Sequence, residues 1–260
     1  MSHNLIFHCF PKLDADWRAA CLSTFRFRQV FDGRVVISIV YGAGCERVDR
    51  VMDWFEPFGP GLEFKLTPNV AAMGINTTFR DQLQSIRREP GIVFKGHTKG
   101  ISHPGDIWAP WRDNMAFGCL SDMTLVDRKF AEGFRSFGVY KTASPDGAGV
   151  MAQNWDVTKA TKRVKRQAAG IVTPPWRGWH YPGAMFWFDP KFIPDTFFTQ
   201  PMHHYENEAF PCYLGPTETG FSVKPDNLLF ASANISPFFK ELQKPLCESE
   251  MIAAAAAGHL

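Results

Sequence analysis

Near the middle of the chain an apolar run ends in Lys95, His97 and Lys99, within GIVFKGHTKGISH. In an extended strand alternate side chains share a face, so this spacing puts three cationic or protonatable groups side by side next to flexible glycines. That combination suits a phosphate or diphosphate, with Lys95, His97, Thr98 and Lys99 as donors and Gly96 and Gly100 letting the backbone approach. A solvated strand end has the same spelling. The segment is not a P-loop, since GxxxxGK[ST] is absent, and there is no dinucleotide-type GxGxxG.

A second constellation is WHYPGAMFWF. Trp179, His180 and Tyr181 precede Gly183 and an apolar strand, which reads as an exposed loop offering a sugar or base platform, with alternate members of Met185 to Phe188 in the core. Glutamates follow it at Glu206, Glu208 and Glu218. A buried carboxylate there has the chemistry of a general base for a hydroxyl acceptor; Glu206 and Glu208 equally spell helix-surface charges, and Glu208, flanked by Ala209 and Phe210, is the favoured candidate as the more buried of the pair. The histidines lack HxxxH or HExxH spacing, so no zinc site is expected. A third group, Lys159, Lys162, Arg163, Lys165 and Arg166, lies near Trp176 and Trp179; it spells a solvated helix face or a grip on a nucleic-acid backbone.

The elements that must hold these groups follow from the apolar pattern. Leu5 to Phe10 reads as a strand closed by Pro11, and Asp14 as the N-cap of a helix through Trp17, Cys21, Leu22 and Phe25. The run RVVISIVYG, continuous and β-branched, predicts a strand covered on both faces. A helix over Cys45 to Phe55, the strand LEFKLTPN, a helix over Thr77 to Arg88 and the strand GIVFKGH complete a β-α-β-α-β-α-β series. The fold class is therefore α/β, a mostly parallel sheet flanked by helices. Ligands of such sheets sit at the carboxyl ends of the strands. Helices are expected over Trp108 to Phe117 and Leu120 to Phe134, strands at FGVYKT and AMFWF, and a helix followed by a loop in HHYENEAFPCYLGPTETG.

At 260 residues with 45% hydrophobic and 14% aromatic content, the chain reads as one folded domain over 1–250 with a tail at 251–260. Residues 1–103 form one half and 104–250 the other, with a basic insertion at 144–175. The net charge of +2 says little about partners, since a protein held mainly to nucleic-acid phosphates would be strongly basic; local charge matters more. The six scattered cysteines have no CxxC pair, so reduced thiols in a cytoplasmic protein are expected. The N-terminus does not spell a signal peptide, and no segment is apolar for long enough to span a membrane.

FDGRVVISIVYG, VFKGHTKGISH followed by Trp111-Arg112, WHYPGAMFWF and YENEAFPCYL, in that order between Leu5 and Gly220, resemble a bacterial and phage-type glycosyltransferase family. That family is distantly related to polysaccharide-synthesis transferases of GT-A-like, nucleotide-sugar-binding fold. The resemblance implies transfer of a sugar from a nucleotide donor, of UDP type, to a hydroxyl of a saccharide or of a hydroxymethylpyrimidine in phage-type DNA. Phe10, Pro11, Tyr41 and Gly42 would then border the nucleotide. Trp179, His180, Tyr181, Gly183 and Glu218 would frame sugar and acceptor, and Glu208 would be the base. GT-A enzymes commonly hold a divalent metal with Asp-x-Asp after the central strand, whereas His97-Thr98-Lys99 stands here. Metal dependence stays open, no other cofactor is required, and Lys99 aided by His97 is the expected replacement in neutralising the leaving diphosphate. A non-catalytic glycan- or nucleic-acid-binding module on the same fold is the alternative.

Overall fold

The computed structural model describes residues 1–69, 74–98, 101, 109–143, 179–181, 183–199, 207 and 210–224. The main sheet has seven strands: β1 (His3–Cys9), β2 (Val35–Tyr41), β3 (Leu62–Pro68), β4 (Ile92–His97), β5 (Ser136–Tyr140), β8 (Phe186–Phe188) and β9 (Gly220–Lys224). Their order is β3-β2-β1-β4-β8-β5-β9, and a small second sheet pairs β6 (Thr142–Ala143) with β7 (Trp179–His180). Every main-sheet strand runs the same way except β8, which lies antiparallel between β4 and β5.

The handedness of β-α-β crossovers explains where the helices lie. Stepping outward from β1 to β2 to β3 puts α1 (Trp17–Phe25) and α2 (Val48–Phe55) on one face. Returning from β3 to β4 reverses the direction, and the same hand then requires α3 (Gly74–Ile86) on the opposite face. Helices α4 (Ala109–Leu120) and α5 (Met123–Ala131) rejoin the first face. Each face has its own core. Phe7, Ile37, Phe94 and Trp187 pack with Phe25, Phe55 and Met115 on one side, and Ile6, Val36, Val93 and Phe186 pack with Phe79, Leu83 and Phe210 on the other.

Double coverage accounts for the continuous apolar runs: the first six residues of β2 and all of β4 are buried. It also corrects the reading of Met185 to Phe188 as alternately buried, since all four are sealed. The N-cap of α1 is Asp16, whose side chain accepts from the Ala19 amide at 3.0 Å, and not Asp14, whose carboxylate is held by Lys12 at 2.9 Å. Helix α5 is shorter than expected because Asp122 caps it, accepting from Leu125 N at 2.9 Å. Among the described residues no helix is long and apolar enough to cross a membrane.

Candidate functional site

The strand series grows from β1 in one direction and then resumes on its other side with β4. In open α/β sheets ligands bind at such a reversal, beyond the carboxyl ends of the two strands. There β1 and β4 are stitched together: the Thr98 amide donates to His8 O at 3.1 Å, and Thr98 Oγ1 accepts from the Phe10 amide at 3.0 Å. Thr98 is itself buried, so its hydroxyl serves as a clamp between the strand ends. The loops after β1 and β2 are laced to each other. Glu46 N donates to Pro11 O at 2.7 Å, Leu13 N to Gly44 O at 3.0 Å, and Lys12 bridges Cys45. Tyr41, which ends β2, leaves 41% of its surface open before the turn at Gly42. Phe10 is half-buried and Pro11 buried, so of the four residues expected to border a nucleotide only Tyr41 presents a broad aromatic surface.

Beneath these strand ends, on the α3 face, the pair Lys95 and His97 has an unexpected counterpart. Lys95 is only 3% exposed. Its ammonium donates to Ala184 O at 2.9 Å and Asn207 Oδ1 at 3.1 Å, over the faces of Phe79 and Phe186. Asn207 is held in turn by Asn76 Oδ1, which accepts from its side-chain amide at 2.8 Å. His97 Nε2 lies 2.7 Å from Gly183 O; a carbonyl only accepts, so this nitrogen carries the proton. The two carbonyls belong to consecutive residues in the left-handed region, Gly183 at φ 88° and Ala184 at φ 56°. A side chain at 183 would meet Met115 Sδ at 2.6 Å, and Ala184 carries the strain of a non-glycine residue there. Both side chains thus clamp a strained turn between β7 and β8. The expectation that Lys95 and His97 offer donors to an anion, and the alternative of a solvated strand end, are both corrected: the two side chains are buried, with Lys95 donating to Ala184 O and Asn207 Oδ1 and His97 to Gly183 O.

The expectation for Trp179, His180 and Tyr181 is overturned as well. Trp179 is 2% and Tyr181 1% exposed, and His180 is buried where β7 pairs with Thr142. Trp179 packs its ring against Gly220 and Tyr181 against Gly138, strand positions whose lack of a Cβ makes room for the rings. Their polar atoms are used internally, Trp179 Nε1 on Gly215 O at 3.2 Å and Tyr181 Oη on Phe221 O at 2.5 Å, and burial pushes the Tyr181 phenol well above its ordinary range. They are core, not a sugar platform. Accordingly, Gly220→Val should cost roughly 2–3 kcal/mol by forcing Trp179 off the sheet; a denaturation midpoint unchanged from wild type would contradict this packing.

Glu218 is exposed on the turn Thr217–Thr219, where its charge opposes the lowering that burial imposes on the Lys141 ammonium. Lys99, Glu206, Glu208, Trp176 and the basic run with Lys162, Arg163, Lys165 and Arg166 lie outside the described residues, as does the tail.

No protein-family model and no curated protein sequence matches the chain. The chemistry has to come from its own side chains. A polar group near the strand ends that the sequence did not suggest is His8. It sits on β1 directly across from His97 on one side and Ser38 on the other, so all three share the α3 face. The residue is half-buried while its Nδ1 is sealed and has no hydrogen-bond partner among the described residues. Burial, reinforced by the Lys95 charge, holds its pKa down at about 3, so the ring is neutral at ordinary pH. Among the described residues no group of three or more His, Cys, Asp or Glu is arranged to hold a metal.

Proposed function

We propose that the chain is a nucleotide-sugar-dependent glycosyltransferase of GT-A-like architecture, transferring a sugar to a hydroxyl acceptor. The observation that carries this reading is the reversal of strand order between β1 and β4, the place where open α/β sheets bind ligands, with the exposed ring of Tyr41 at the end of the neighbouring β2. An exposed aromatic at such a strand end suits stacking by a nucleobase. The order of the sheet, with one reversed strand among parallel neighbours, is compatible with the GT-A-like arrangement.

The roles of Lys95, His97 and Thr98 within the reading follow their contacts, and those of Lys99 and Glu208 follow from the sequence. Lys95 and His97 are positioning residues that hold the 183–184 turn, and Thr98 ties the strand ends. Lys99 keeps the role of neutralising the leaving diphosphate, and Glu208 that of general base, with a saccharide or a hydroxymethylpyrimidine in DNA as acceptor. The test is thermal stabilisation by UDP-, GDP-, dTDP- and CMP-sugars, with and without EDTA. One donor class should raise the Tm of the wild-type protein. Tyr41→Ala should weaken that donor roughly ten-fold through lost stacking. Lys99→Ala should weaken the diphosphate-sugar while sparing the nucleoside. Failure of every donor to shift the Tm would replace the transferase with the non-catalytic binding module.

A further inference from the structure

On the opposite face of β1 from His8, two thiols that the proposed chemistry does not use are in contact. Cys9 ends β1 and Cys21 lies within α1; their sulfurs are 3.8 Å apart, and both residues are fully buried. A disulfide requires an S–S separation of about 2.05 Å. Closing the bond therefore needs the two sulfurs to approach by roughly 1.8 Å. The intervening chain forms the rim beyond the carboxyl end of β1: it contains Phe10, bonded to Thr98, and Pro11, bonded to Glu46. A third thiol, Cys45, is half-buried on the loop laced to this rim and is the most accessible of the three.

We infer that Cys9 and Cys21 form a reversible disulfide that braces the β1–α1 rim. With a low-molecular-weight disulfide such as oxidised glutathione as oxidant, one thiolate attacks, the glutathione S–S bond breaks, and one glutathione leaves as its thiol. The second protein thiolate then attacks the mixed disulfide and expels the other glutathione. The two electrons pass from the protein dithiol to glutathione, and the two thiol protons end on the released glutathiones. Burial raises the Cys21 thiol well above its ordinary range, so the reaction is slow at neutral pH and speeds up in alkali.

Only the bearing of this brace on donor binding rests on the transferase reading, so the link is tested without any donor. The full chain is equilibrated in glutathione buffers of graded oxidation, alkylated after unfolding, digested and mapped by mass. The expected result is a linked pair of peptides containing Cys9 and Cys21, short of two hydrogens and restored by dithiothreitol. The Tm should rise roughly 5–10 °C on closure. Cys45→Ser should retain the link and Cys21→Ser should abolish it. Equal alkylation of Cys9 and Cys21 across all buffers, or a link that runs through Cys45, overturns the inference. Neither result touches the donor panel, whose outcome in turn leaves the link untouched.

Discussion

Lowering the pH from 7 to 5 should remove up to about 2 kcal/mol of folding stability through His8 alone, and up to about 3 kcal/mol by pH 4. The sign follows from proton counts. The folded state holds the imidazole pKa at about 3, against an ordinary 6.5. Between these values the unfolded chain binds a proton that the folded chain refuses, so stability falls as pH falls through that window. Above about pH 7 both states are neutral and the term vanishes. Other groups titrate in the same range, which makes the variant the informative control. His8→Gln keeps a polar side chain of similar reach without a titrating ring, and its stability should decline less steeply between pH 7 and 4. Urea midpoints for both proteins at pH 7.5, 5.5 and 4.5 measure the difference. Parallel declines would mean that the ring finds a proton-accepting partner in the folded state and that its buried Nδ1 is not isolated.

The largest purely structural effect is expected at Trp187. It lies on the reversed strand β8, fully buried, with its ring 5.2 Å from Phe94, 5.7 Å from Phe31 and 5.6 Å from His3. Its indole donates to Cys119 O at 2.7 Å, fastening the sheet to α4. Trp187→Ala removes the apolar contacts and leaves a cavity, at about 3–5 kcal/mol, and strands the Cys119 carbonyl at a further cost of about 1 kcal/mol. A domain of this kind has about 5–15 kcal/mol to lose, so the variant should be close to unfolding at physiological temperature. Trp187→Phe keeps most of the ring stacking and should lose less than half as much. Guanidinium denaturation followed by circular dichroism reads both, and a loss below about 2 kcal/mol for the alanine variant would show that the core collapses into the space.

Much of the first half of the fold was legible because its signals are local. The strands β1, β2 and β4 are apolar runs closed by Pro11, a glycine turn and a His-Thr-Lys end, and they alternate with helical spacing at Cys21, Phe25, Leu83 and Ile86. The cap of α1 was misplaced by two residues because both Asp14 and Asp16 spell a cap, and only the position of Lys12 shows which one is occupied elsewhere. The candidate site was less legible, for two physical reasons. Lys95 and His97 take backbone carbonyls at 184 and 183, and a carbonyl has no signature in the sequence. Trp179 and Tyr181 were read as an exposed loop because glycine and proline surround them. The decisive glycines, Gly220 and Gly138, lie on distant strands and make room for the rings only once the sheet is assembled. His8 looked like an ordinary member of an apolar strand. Its importance depends on register, which sets it opposite His97 and near a buried ammonium.

The reversed strand also constrains how the molecule can be made. Strand β4 has β1 on one side and β8 on the other, and β8 is encoded about ninety residues later. As the chain leaves the ribosome, the four-stranded half β3-β2-β1-β4 can assemble while the flank of β4 still lacks its neighbour. During that interval its backbone is an open template for other chains, and the Lys95 ammonium has yet to meet the carbonyl of Ala184. The charge that later clamps the turn is then a deterrent to edge-to-edge pairing. One side chain therefore borders the nascent edge and afterwards holds the turn that leads into the strand that closes it.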